Sequence, residues 1–161
     1  LVDLKKILPK GVDIAVEFRN KSWLEESTYD MFAEFGWAVV GTVIFKRETT
    51  RWVGNMPAGL FMPPRTANFN YIRVHGKKKW RGLLTPDQID AMRMIVAAQT
   101  VRTSYVIFNN SFFDNRSDFC TLNDQKVGSA AVCNAADFAM SVKAKTRRRN
   151  LKVIKRISQK K

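Results

Sequence analysis

Four short β-branched runs alternate with helix-forming segments along the first 110 residues, and this alternation constrains the fold more than any other feature. Val12 to Phe18 (VDIAVEF) reads as a strand. Ser22 and Glu25 then have the spacing of a capping box, which predicts a helix to about Phe35. Trp37 to Ile44 is a second strand, and the Gly- and Pro-punctuated stretch from Lys46 to Asn70 reads as a long loop. Tyr71 to His75 is a third strand. Thr85, Pro86 and Gln88 supply an N-cap, an N1 proline and a capping-box partner for a helix to about Gln99. Ser104 to Phe108 is a fourth strand, followed by a polar loop. Gly128 to Val142 reads as a helix with Ala131, Ala135, Phe138 and Ala139 on its apolar face. Strand and helix in alternation imply an α/β fold of about four βα units around a parallel sheet.

Parity within the strands separates an apolar face from a polar one. Val12, Ile14, Val16 and Phe18 share one face of the first strand, as Ile72 and Val74 do in the third and Val106 and Phe108 in the fourth. The opposite faces carry Glu17, Arg19, Arg73, His75 and Asn109 near the strands' carboxyl ends, where parallel sheets gather groups for chemistry. Glu17, Arg19 and Arg73 suit an anionic or sugar-like ligand, with Glu17 as a general acid or base. The same residues also fit an interior ion-pair network that only satisfies buried charge. His75 is the single histidine, so a histidine cluster for a metal is excluded, and neither metal nor cofactor is expected. Asn109 and Asn110 fit strand-end caps, and Trp23 is expected in the core.

Charge divides the chain in two. Of its 28 Lys and Arg residues, ten lie in the last 21 residues: Lys143, Lys145, Arg147, Arg148, Arg149, Lys152, Lys155, Arg156, Lys160 and Lys161. No acidic residue follows Asp137, so this segment holds ten of the formal net +14 charges. The expected organisation is therefore a body over 1–140 and a basic tail over 141–161. Leu151, Ile154 and Ile157 recur at helical spacing, which suits an amphipathic helix formed on a partner. A second basic run, Lys77, Lys78, Lys79, Trp80 and Arg81, joins cations to an aromatic ring and suits phosphate contact with base stacking. Both runs point to a polyanionic partner, RNA before other nucleic acids, although a solvated charged turn explains the shorter run equally well.

Cys120 and Cys133 have neither zinc-site spacing nor the density of a secreted scaffold, so reduced thiols in an intracellular compartment are expected. The longest near-apolar run, Gly36 to Phe45, is about half of what a bilayer-spanning helix needs. No membrane partner is expected. The sequence opens on Leu1 rather than Met, which is compatible with residues lying upstream.

The segments AVEFRNKSW (Ala15 to Trp23), YIRVHG (Tyr71 to Gly76), WRG (Trp80 to Gly82), YVIFNN (Tyr105 to Asn110) and AVCNA (Ala131 to Ala135) occur in an order and spacing that resemble the YecE-like family, domain of unknown function seventy-two. The resemblance covers about Leu4 to Met140. It implies a TIM-type (β/α)8 barrel of which this chain holds the C-terminal half, similar to the barrels of metal-dependent sugar isomerases and apurinic endonucleases. Departures from the family pattern are local. Gly41 and Thr42 stand where the family usually has an Asp, Asn20 replaces the common His of the first motif, and Lys77 to Lys79 enlarge the loop after His75 and Gly76.

A half-barrel has two open parallel edges, which other protein chains or a missing half would have to cover. With the lost Asp and the basic tail, this favours a noncatalytic, RNA-contacting structural component of a large ribonucleoprotein. An organellar ribosome, as in a mitochondrion, or an assembly intermediate would fit. Two alternatives remain open. One is an acid/base or metal-dependent barrel enzyme acting on a phosphorylated sugar or nucleic acid once a first half is supplied; the other is a module that docks acidic protein partners.

Overall fold

A computed structural model describes residues 1–45, 59–76, 82–110, 120–140 and 142. A short helix, α1 (Val2–Ile7), leads to β1 (Ala15–Val16), α2 (Glu26–Phe35), β2 (Ala38–Val39), β3 (Gly41–Ile44) and β4 (Leu60–Phe61). These are followed by β5 (Phe69–His75), α3 (Pro86–Ala97), β6 (Thr103–Phe108) and the hairpin β7 (Cys120–Leu122) and β8 (Gln125–Val127). A last helix, α4, occupies residues 130–140. The chain is a mixed α/β fold in which β1 pairs with β2, β3 with β5, and β5 with β6, all in parallel.

The expected second strand is present but changes neighbours along its length. Ala38 and Val40 donate their amides to the carbonyls of Ile14 and Val16, while Ile44 donates to Gly59. These three amides have the same parity, so β1 and β4 occupy successive stretches of one edge. The antiparallel pairing of β4 with β3 corrects the reading of Lys46 to Asn70 as loop throughout, and adds an antiparallel member to the expected parallel sheet. Gly41 permits the approach. A Cβ there would lie 3.1 Å from the Met62 sulfur and 3.3 Å from the Phe61 carbonyl oxygen.

The helix after β1 also begins differently from its expected start. Asn20 accepts a hydrogen bond from the Ser22 amide and opens a 3₁₀ turn, Lys21–Trp23, so Ser22 is no longer placed to cap α2. Glu25 is the N-cap residue instead, and Gly36 ends the helix in the left-handed conformation at φ 68°. The second expected capping box does form. Thr85 accepts from the Gln88 amide, and the Gln88 side chain accepts from the Thr85 amide.

The parity reading holds for the helix-facing side. Val43, Ile72, Val74, Leu84, Ile89 and Met92 form one core under α3, and Phe32, Trp37 and Val39 form another under α2 with Ile14, Val16 and Phe18 packed on it. On the opposite face, Ala15, Ala38, Ala67 and Phe69 meet at the amino ends of the strands, leaving the carboxyl ends to polar groups. Trp23 is a correction: it sits on the 3₁₀ turn, 45% exposed, stacked on Phe18 at 5.3 Å between ring centroids.

The polar loop expected after β6 contains the β7–β8 hairpin, whose turn residues Asn123 and Asp124 have φ of 49° and 63°, a conformation Asn and Asp tolerate well. In α4 the buried stripe is Ala130, Cys133 and Asn134, with Ala135 and Ala139 exposed, so the expected alanine face is rotated. The reason is specific bonding. Cys133 is in a disulfide with Cys120, which corrects the expectation of free thiols, and Asn134 accepts a hydrogen bond from the Leu84 amide at 3.0 Å.

Candidate functional site

β5 carries the centre of the site because its inward parity runs Tyr71, Arg73, His75. Register places Thr42 beside Arg73 and Ile44 beside His75. Thr42 is buried on this row and contributes a neutral hydroxyl beside Arg73.

Across the sheet, Glu17 follows directly on β1 and reaches Arg73. Arg73 Nη1 donates to Glu17 Oε2, and Arg19 Nη2 lies 3.3 Å from Glu17 Oε1. One carboxylate is thus held between two guanidiniums. The burial is graded: the Glu17 and Arg73 side chains are 18% and 21% exposed, whereas that of Arg19 is 64% exposed. An incoming solute meets Arg19 first.

His75 closes the inner end of the row at 2% exposure. Burial drives its pKa down from 6.5 to about 4, the positive charges of Arg73 and Arg19 push the same way, and Glu17 opposes them. The imidazole is therefore neutral at physiological pH. With one Glu against two Arg and a neutral His, the cluster carries one surplus positive charge, which favours an anionic ligand. At the opposite end of the same face, the Tyr105 hydroxyl donates to Asp13 at 2.9 Å and links β6 to the segment entering β1. That bond holds the Tyr105 proton and raises the phenol's pKa.

Glu17, Arg19, Arg73 and His75 are thus brought together as their parity suggests. Asn109 is only partly buried, and no described residue ties its side chain to the cluster by a hydrogen bond; its backbone amide donates to the Val74 carbonyl at 2.7 Å. The neighbouring Asn110 is the buried one. Its Nδ2 donates to the Gly82 carbonyl at 2.6 Å, and Asn134 accepts from Leu84, so two fully buried asparagines hold the Gly82–Leu84 segment. Parity alone did not single them out, although both lie within the quoted motifs YVIFNN and AVCNA.

The basic run Lys77 to Arg81 and the tail cations Lys143 to Lys161 lie outside the described residues. Among the described residues, no group of three or more His, Cys, Asp or Glu side chains is placed to hold a metal ion, and no helix is long and apolar enough to cross a membrane.

Parallel strands with helices on one face and charged groups at their carboxyl ends define an α/β protein with a candidate ligand site at the strand ends. The family model described as "Protein of unknown function DUF72" matches residues 1–157, and the chain belongs to that family, consistent with the YecE-like resemblance. The match continues past Met140 and takes in most of the basic segment.

Two solved structures extend the likeness. A DUF72 family protein from Thermotoga maritima is 22% identical with a TM-score of 0.59, the alignment covering 88% of this chain and 50% of that one. Another from Enterococcus faecalis V583 is 18% identical with a TM-score of 0.58, covering 88% of this chain and 53% of that one. The chain thus spans about half the length of these structures. No curated protein matches it.

Proposed function

We propose that the cluster of Glu17, Arg19, Arg73 and His75 is an anion-recognition site at the mouth of a TIM-type half-barrel, and that its ligand is a phosphorylated sugar. The carrying observation is the surplus positive charge created by two guanidiniums on one carboxylate beside a neutral, buried imidazole. Arg19 meets the phosphoryl group, Arg73 fixes Glu17, and Glu17 is the candidate acid/base residue facing the sugar. The half-barrel reading is supported by the parallel pairing of β1, β2, β3, β5 and β6 and by solved structures of about twice the aligned length.

Calorimetric titration of the full chain with ribose 5-phosphate tests this reading. Arg19→Met is expected to weaken binding about tenfold or more, the loss of a charge-assisted contact. Glu17→Gln is expected to bind the phosphate more tightly, because the surplus charge rises from one to two. Weaker binding by Glu17→Gln, or no binding by the wild type, contradicts the reading.

A second reading, an RNA-contacting structural component of a ribonucleoprotein, is favoured by the net charge of +14 and its concentration after Asp137. About ten phosphate contacts would make log K for single-stranded RNA fall against log salt with a slope of about −7. Fluorescence anisotropy over a salt series measures it. A flat salt response, or equal affinity after deletion of 141–161, would remove this reading and leave the first untouched.

A further inference from the structure

The Cys120–Cys133 disulfide joins the β7–β8 hairpin to α4, and the two sulfurs differ in their surroundings. Cys120 is partly buried at the start of β7, whereas Cys133 is 2% exposed. The Cys133 amide donates to the Ser129 carbonyl at 3.2 Å, which places this cysteine in the first turn of α4. Burial among apolar side chains disfavours a free thiolate, so access rather than leaving-group chemistry distinguishes the two sulfurs. Access therefore sets the direction of attack, at the more exposed Cys120.

The consequences of opening the bond are also local. Hairpin and helix share one small apolar cluster, Ala130 and Cys133 with Cys120 and Val127 packed on it. The residue after Cys133 is Asn134, fully buried, whose Oδ1 holds the Leu84 amide. The disulfide is thus one residue from a hydrogen bond that fixes the segment following β5.

We propose that Cys120–Cys133 is a thiol-exchange site for a low-molecular-mass monothiol such as glutathione, and that its reduction loosens the grip of Asn134 on Leu84. A glutathione thiolate attacks the Cys120 sulfur, the Cys120–Cys133 bond breaks, and its electron pair leaves on Cys133 as a thiolate. A second glutathione thiolate attacks the mixed disulfide at its glutathione sulfur, giving glutathione disulfide and a Cys120 thiolate. Two electrons have then passed from two glutathione molecules to the protein, and glutathione disulfide reverses both steps. The pair is a reversible modification site rather than a fixed staple. This inference does not rest on the phosphate site.

The test uses the full oxidised chain, reduced glutathione, an iodoacetamide quench and peptide mass mapping. Early time points are expected to show glutathione on Cys120 and carbamidomethyl on Cys133. In parallel, hydrogen exchange follows the Leu84 amide, which is expected to exchange about tenfold faster or more after reduction while the amides of β5 keep their protection. Asn134→Ala in the oxidised chain is expected to give the same faster Leu84 exchange with the disulfide intact, which ties the readout to that hydrogen bond. Glutathione on Cys133, no exchange without denaturant, unchanged Leu84 protection, or loss of protection across β5 would each overturn the proposal.

Discussion

Ile72→Ala is expected to destabilise the chain by about 2–5 kcal/mol in urea unfolding, because Ile72 is fully buried in the core with Val43, Val74, Leu84, Ile89 and Met92. The change removes three carbons from a site walled by β3 on one side and α3 above it, neither of which can collapse without moving a parallel pairing. The effect reaches the candidate site. Ile72 and Val74 alternate with Arg73 and His75, so the same strand that buries apolar carbons on one face aims the charged pair on the other. A loss below about 0.5 kcal/mol would place Ile72 at the surface and contradict the parity on which the site depends.

The second large effect is a loss of stability in mild acid. His75 has a folded pKa of about 4 against 6.5 for the free side chain. Between these values the unfolded chain binds the proton and the folded chain does not, so stability rises with pH through this window. The contribution of His75 is fully present above pH 6.5 and is lost as the pH falls toward 4, a span worth about 3 kcal/mol at 1.36 kcal/mol per pKa unit. His75→Gln is expected to be less stable at pH 7 yet flatter between pH 6.5 and 4. Urea midpoints across that range decide it, and an equally steep acid limb in the variant would assign the effect elsewhere.

Much of this was legible in the strands themselves. Alternating parity in VDIAVEF and YIRVH placed Val16, Ile72 and Val74 on the helix side and Glu17, Arg73 and His75 on the other, because a two-residue period follows from the backbone alone. The Thr85, Pro86, Gln88 start was equally readable, since a capping box needs only local bonds. What escaped depended on distant partners or on competition. Asn20 took the Ser22 amide and displaced the expected cap by opening a 3₁₀ turn. β4 pairs with β3 through Leu60 and Phe61, a two-residue strand too short to show a period. Asn110 and Asn134 are buried because they bind Gly82 and Leu84, and nothing in their own segments announces those partners. The disulfide likewise required Cys120 and Cys133 to be brought together by a hairpin read as loop.

Thr42 stands beside Arg73 in register, and Glu17 supplies the negative charge from across the sheet. The site that results is biased toward cationic charge, which is the basis for assigning it an anion.

Because His75 is the chain's single histidine, its imidazole Cε1–H resonance reports on the site without assignment ambiguity. Titrating that resonance with pH, first without added anion and then with saturating ribose 5-phosphate, shows whether the cluster around His75 binds an anion. A midpoint near 4 is expected in the free protein, with a rise of one unit or more on binding, since the nearby phosphate monoanion that prevails at this pH favours the imidazolium by about 1.4 kcal/mol per unit. A midpoint near 6.5 in the free protein, or one that ribose 5-phosphate leaves unmoved, would contradict this reading of the site.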